Sequence, residues 1–336
     1  MKVGIYFDMR NPPPWQWSWS RVYGFALEMC EEADRLGLDS VWFSEHHGFE
    51  DGYLPQPLTM AAAAAARTRR VRLGTAVIPA PLHAAPEIAE QAALVDIISD
   101  GRLDLGLGTG YRVPEYRLYG ADLAKRYSTT DRRVREIRGL WSESLVVPGP
   151  VQDPLPIWLG YQGPQGARRA GRLGTGLLSL NPALLEPYRE GLAESGYDMS
   201  AARMQGSFTT FVTEDPDGDW PVVRKHLAYQ WDSYRRYMVE GTDQPAPRPI
   251  DPEKWRETGL RASGVGQFLY GTPQDVAEAI KAYVAGLPVE GVFLWASLAG
   301  MPEEMVSRQV QLIAGKLRPL LADVRPEESQ HVDGNR

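Results

Sequence analysis

The chain predicts an α/β fold whose simplest closed form is a (β/α)8 TIM barrel. Short apolar strand segments alternate with amphipathic helical segments along nearly the whole length, as in sheets built from βαβ units. Eight such strands can be placed, the number that closes a barrel. A doubly wound open sheet satisfies the same alternation. A third observation says where chemistry belongs: GLDSVWFSEHH, from Gly37 to His47, runs from a helix stop through a strand into two adjacent histidines. In parallel α/β folds the carboxyl end of a strand is where the connecting loops converge on a rigid scaffold.

In chain order, Val3, Ile5 and Phe7 alternate with less apolar neighbours in a first strand ending near Asp8. NPPPWQWSWS then stops regular structure, and Ser20 is the expected cap of an amphipathic helix from Arg21 to Leu36. Strand Ser40 to Ser44 follows, then an alanine-rich helix from Pro57 to Thr68 and a strand RVRLGTAVIP from Arg70 to Pro79. Pro86 starts a helix, and SDGRLDLGLGTGYR supplies the next turn and strand. Beyond it, strands are expected at Leu155 to Gly160, Gly176 to Leu180, Met204 to Val212 and Val289 to Trp295. Helices are expected at Thr129 to Trp141, Gln165 to Arg172, Ala183 to Ser195, Trp220 to Val239, Gln274 to Ala285 and Pro302 to Leu320. The pattern breaks at 241–268, a proline- and glycine-rich stretch near the seventh strand that its composition leaves as either a functional loop or a disordered one. Residues 1–322 are expected to form one barrel domain, and 323–336, almost without apolar residues, a disordered tail.

Composition narrows the function. With 336 residues and 43% hydrophobic content the chain can bury a large core. A net charge of −7 and a pI near 5.4 disfavour nucleic acid and membranes as partners. Cys30 is the only cysteine, which excludes an intrachain disulfide and suits a reducing cytosol. The start, MKVGIYFDM, lacks a signal peptide's apolar core, and Ala61 to Ala66 is too short to cross a bilayer, so a cytoplasmic enzyme is expected. GLGTG, from Gly106 to Gly110, lacks the third glycine and the following helix of a dinucleotide turn. No metal site is expected, because adjacent His46 and His47 point to opposite faces in extended chain. An imidazole remains well suited to proton transfer near neutrality.

GLDSVWFSEHH, RVRLGTAVIP and SDGRLDLGLGTGYRVPE, in this order and spacing, resemble the bacterial luciferase-like family of flavin-dependent monooxygenases. The resemblance implies a TIM barrel, usually a homodimer, that holds reduced FMN at the strand carboxyl ends and oxygenates a small organic substrate through a flavin hydroperoxide. It implies His46 as the catalytic histidine beside the flavin ring and His47 as structural. It implies a non-proline cis peptide within Thr75-Ala76-Val77, behind that ring, and a mobile lid loop at 241–268. Arg126, Gln162, Gly163 and Gly166 match a phosphate site at a helix amino terminus, where backbone donors favour an anion. Two positions depart from light-emitting relatives: Gly108 replaces a cysteine and Thr109 a phosphate arginine, so bioluminescence is not implied and the flavin could arrive reduced from a separate flavin reductase. A deazaflavin-dependent hydride-transfer enzyme and a catalytically silent flavin binder are the alternatives. Trp15, Trp17, Trp19, Phe49, Tyr53 and Tyr111 fall in loops expected at the barrel mouth and would line an aromatic substrate pocket, with dioxygen as co-substrate.

Overall fold

Period-two apolar patterning produces eleven short strands in a computed structural model of the chain, which describes residues 1–258 and 268–324. They are β1 (Lys2–Phe7), β2 (Ser40–Phe43), β3 (Arg72–Thr75), β4 (Ile78–Pro79), β5 (Leu103–Gly108), β6 (Ile157–Leu159), β7 (Gly176–Leu178), β8 (Met204–Phe208), β9 (Thr210–Val212), β10 (Leu269–Gly271) and β11 (Val289–Trp295). Every pairing is parallel, in the order β3-β2-β1-β11-β8-β7-β6-β5, and a β3–β5 pairing closes the ring. The result is a (β/α)8 TIM barrel; the open sheet is excluded by that closure.

Side chains in one phase of the strands fill the barrel. Tyr6, Trp42, Trp158, Leu178, Phe293 and Trp295 form this interior cluster, with Trp42 stacked on Phe293 at 4.5 Å. Small residues face the large ones: a Cβ added at Gly74 would stand 2.2 Å from the Trp42 ring, and one at Gly176 2.2 Å from Trp158. The opposite phase, including Val3, Ile5 and Val41, packs under the helices in a second, larger core.

Those helices are α1 (Trp19–Leu36), α2 (Pro57–Arg67), α3 (Ala85–Ser99), α4 (Val113–Leu118), α5 (Arg126–Ser142), α6 (Gly163–Arg172), α7 (Leu185–Glu194), α8 (Pro216–Val239), α9 (Pro252–Thr258), α10 (Pro273–Val284) and α11 (Glu303–Leu312). Cys30 is buried in α1, as its place on the apolar face predicts.

Several boundaries differ from expectation for local reasons. Ser18, not Ser20, caps α1 by accepting the Arg21 N–H, so Trp19 is helical rather than in a loop. The strand expected across Arg70 to Pro79 is divided into β3 and β4, with the cis peptide that the resemblance implied lying between them at Ala76-Val77. The strand expected across Met204 to Val212 divides after Phe208; β9 pairs with the unforeseen β10 outside the barrel. Helices α4 and α9 are too short to carry a legible periodicity. α9 falls inside the stretch expected as a lid loop and is tied to α8, with Trp255 5.2 Å from Trp231 and Glu253 accepting from the Trp220 indole at 2.8 Å. Residues 259–267 of that stretch, and 325–336 of the expected tail, lie outside the described residues. No described helix is long and apolar enough to cross a membrane.

Candidate active site

The chain leaves β2 at Phe43 and enters the mouth of the barrel through Ser44 to His47. The two histidines diverge, as alternation requires: His46 Nδ1 lies 2.9 Å from Glu115 Oε1, and His47 Nε2 lies 2.8 Å from Glu45 Oε1. Glu115 belongs to α4 and also accepts the His47 backbone N–H at 3.0 Å. Burial pushes its carboxyl upward, but the His46 bond and charge, the His47 N–H and Arg112 outweigh it, and the group is held below the ordinary carboxylate range. An ionised Glu115 accepts a proton-bearing Nδ1, which leaves His46 Nε2 as the nitrogen able to take or give a proton.

Aromatic rings surround His46. Phe49, Tyr53 and Tyr111, all placed at the mouth by sequence, lie 5.0, 4.7 and 5.7 Å from it between centroids. Tyr234 of α8 adds a fourth at 6.0 Å, a residue that sequence reasoning passed over. Of the three tryptophans, Trp15 and Trp19 sit elsewhere, and Trp17 lines a cavity with Asp8, Arg10 and Phe25 rather than the box around His46. Trp15 stacks on His226 at 4.1 Å, Trp17 is 55% exposed, and Trp19 is 45% exposed beside Tyr23 and Gly52. The proline-rich segment turns their rings toward α8, α1 and solvent.

Beside this box lies a buried charge cluster. Asp8 is two residues beyond Tyr6 and therefore in the inward phase of β1. Arg10, with a fully buried side chain, pairs with Asp51 at 2.7 Å and donates to Gln230 O at 3.3 Å and to Ser233. Among the described residues, buried side-chain atoms without a well-formed hydrogen bond concentrate here: Asp8 Oδ2 and Gln230 Nε2, which face each other, Asp51 Oδ1 with Tyr229 close to its carboxylate, Tyr111 OH beside Tyr234, Arg112 Nε, Glu115 Oε2 and Trp231 Nε1. Buried polar groups are rarely left unpaired, so such a concentration marks a place built for polar occupants.

The far wall is glycine-lined. A Cβ at Gly106 would stand 1.7 Å from Thr75 O, and one at Gly108 2.4 Å from Val77 Cγ2. Gly106 and Gly108 let β5 approach the Thr75-Ala76-Val77 segment closely, which accounts for the GLGTG stretch without a nucleotide. Thr75 Oγ1 donates to Gly106 O at 2.8 Å, and Thr109 O accepts from the Tyr116 hydroxyl. Farther round, Gln162 precedes α6 without capping it, and Gly163 has φ 75° with nothing within 4 Å of its Cβ direction. Gly166, in the first turn of α6, packs on Tyr161. Arg126 is half-buried, its guanidinium 5.0 Å from the Tyr127 ring; Arg169 of α6 lies 5.8 Å from the same ring and pairs with Asp131.

Glu45, His47 and His83 have donor atoms within 4.8 Å of one another, the spacing a metal needs. Those atoms are spent on each other, since Glu45 Oε1 meets His47 Nε2 at 2.8 Å and His83 Nε2 at 2.6 Å. Sequence reasoning also missed Asp8, Arg10, Asp51 and Glu115. The phase of β1 carried a signal for Asp8; the others depend on partners far along the chain.

A closed parallel barrel with a polar, aromatic mouth at the carboxyl ends of its strands has the architecture of a barrel enzyme. The chain belongs to the luciferase-like monooxygenase family, whose model matches residues 1–289. It is 32% identical over 180 residues to the oxygenase component of a flavin-dependent trigonelline monooxygenase of Acinetobacter baylyi, covering 49% of this chain and half of that protein's length. It is 31% identical over 248 residues to an F420-dependent glucose-6-phosphate dehydrogenase of Amycolatopsis mediterranei, covering 68% of this chain and 71% of the relative. The crystal structure of the monooxygenase RslO1 from Streptomyces bottropensis superposes with a TM-score of 0.77 at 25% identity, covering 95% of this chain and 99% of that one. The family thus includes both flavin-dependent monooxygenases and F420-dependent oxidoreductases.

Proposed function

We propose that this chain is the oxygenase of a two-component flavin system, taking reduced FMN from a separate reductase and using dioxygen to oxygenate a small organic substrate. The observation that carries the reading is the concentration of poorly satisfied buried polar atoms in the cluster beside the His46–Glu115 pair, at the mouth where barrel enzymes keep their chemistry.

The residues present suit a flavin mononucleotide. The uncapped amino terminus of α6 offers the N–H groups of Gly163, Gln165 and Gly166 to a phosphate, and Arg126 adds a nearby cation. Thr75, Ala76, Val77, Gly108 and Thr109 offer a close-packed backbone wall for a planar ring. Reduced flavin, when bound, would supply the electrons for dioxygen reduction. His46 would hold or move a proton at Nε2 while Glu115 fixes the ring, and the Phe49, Tyr53, Tyr111 and Tyr234 side chains would keep bulk water from the reacting atoms. A homodimer is favoured by α3, whose Leu94 and Ile98 are 50% and 49% exposed on one helix.

The second reading, hydride transfer with a deazaflavin such as F420, is favoured by the 31% identical dehydrogenase relative. Titrating the protein anaerobically with reduced FMN, FAD and a deazaflavin, then admitting air, separates the two. Tight FMN binding with an altered rate of flavin reoxidation supports the oxygenase; tight deazaflavin binding that is indifferent to oxygen overturns it.

A further inference from the structure

We infer that the substrate is an organic cation, held by the buried Asp8 carboxylate against the aromatic faces of the barrel mouth. The inference rests on the reading of that mouth as the substrate site.

The charge inventory comes first. The described mouth and the cluster beside it bury four carboxylates: Glu45 is paired with His47 and His83, Glu115 with His46, Asp51 with Arg10, and Asp8 with no side-chain cation of its own. The buried guanidiniums of Arg10 and Arg112 are both committed. Arg10 spends its donors on Asp51, the Gln230 carbonyl and Ser233; Arg112 spends its terminal donors on the carbonyls of His47 and Gly48 and on Glu240. Asp8 receives only the Arg10 backbone N–H, at 3.2 Å on Oδ1, and its Oδ2 has no partner. The Gln230 amide lies near enough to favour the ionised form, yet its Nε2 makes no hydrogen bond of good geometry. An ionised carboxylate in such surroundings is costly unless a positive charge joins it.

The rings supply the second half of the recognition. The mouth already holds cations on aromatic faces: Arg112 lies 4.7 Å from the Phe49 centroid and Arg10 5.6 Å from it. Tyr53, which feels the negative field of Asp8, and Tyr234 lie beside His46 and carry no such cation among the described contacts. A carboxylate whose one nearby guanidinium, Arg10, is already paired with Asp51, next to π-faces that carry no cation, fits a quaternary or protonated nitrogen. An anionic substrate would meet unpaired carboxylate oxygens, and a neutral apolar one would leave them buried and unpaired.

The probes are N-methylpyridinium and toluene, which share a shape and differ by one charge. Binding is measured calorimetrically on the full chain, with and without FMN, and the N-methyl proton shift is followed by NMR. The expected result is at least tenfold tighter binding of the cation, an upfield N-methyl shift, and loss of the preference in Asp8→Asn once circular dichroism shows that variant folded. Equal affinity for the two probes, an unshifted N-methyl signal, or a preference that survives in folded Asp8→Asn would overturn the inference. If Asp8→Asn does not fold, the wild-type ratio and shift decide alone. Cation preference without reduced-flavin binding would sink the flavin reading and leave this inference standing; flavin binding without cation preference would do the reverse.

Discussion

Replacing Asp8 by Asn should stabilise the protein at alkaline pH and do little in acid. Complete burial raises the Asp8 carboxyl from its ordinary 3.8 to about 7, against the opposing pull of Arg10 and its backbone N–H; Asp51 adds to the rise and the Gln230 amide opposes it. Because the folded pKa exceeds the unfolded one, the folded state holds the extra proton between pH 4 and 7, and stability falls as pH rises through that window. Above pH 7 the full cost applies, on the order of 4 kcal/mol at about 1.4 kcal/mol per pH unit. Asn keeps the shape without the charge. At about 1.4 °C per kcal/mol for a chain of 336 residues, Asp8→Asn should melt roughly 6 °C higher than wild type at pH 8, with the gap closing toward pH 4. Differential scanning fluorimetry from pH 4 to 8 reads this directly. A gap that is constant across that range, or that widens in acid, would refute the argument that burial of this carboxylate is uncompensated. A group that costs stability and stays in place is also where a functional demand is expected.

Three further outcomes follow from other parts of the site. His46→Ala should leave the circular dichroism spectrum intact and cut turnover about 10²- to 10⁴-fold, and unchanged turnover would return His46 to a packing role. Arg126→Ala should weaken FMN binding about tenfold or more while leaving riboflavin binding unaltered, since a charge-assisted hydrogen bond contributes about 1.5 to 3 kcal/mol; equal losses for both flavins would remove Arg126 from the phosphate site. Gly106→Ala forces a Cβ to within 1.7 Å of Thr75 O and should destabilise the barrel by about 3 kcal/mol or more, whereas Gly139→Ala, whose Cβ would meet nothing closer than 4.0 Å, should be neutral or slightly stabilising in α5. Comparable melting points for the two alanine variants would contradict the close approach of β5 to β3.

Strand and helix faces were legible because they are local. Alternation along β1 puts Val3 and Ile5 in one phase and Tyr6 in the other before any partner is known, and the same reasoning places His46 just past β2 and sends His47 the other way. The eight ring strands lie where apolar periodicity puts them. Less was legible where a few residues decide the path: α4 and α9 are too short for a helical period, and the departure of β9 from the ring depends on contacts with other segments, while the cis peptide at Ala76-Val77 was foreseen through the family resemblance and not from the local pattern. The three tryptophans show the same limit, since a loop's composition says nothing about which way its rings turn.

The site divides along that line. Local pattern decides the side of a strand or helix on which each residue stands; closure of the ring decides which sides meet. Closure brings β1 beside β11 and carries α4, α8 and the first loop over one opening. Glu115 then reaches His46 from 69 residues away, Asp51 reaches Arg10 from 41, and Tyr234 of α8 joins the box. Histidine placement at the mouth was written in the order of residues. Its carboxylate partner, the Tyr234 side of its aromatic box and the poorly compensated charge of Asp8 arise only from long-range packing, because burial and electrostatic balance belong to an environment that no single segment contains.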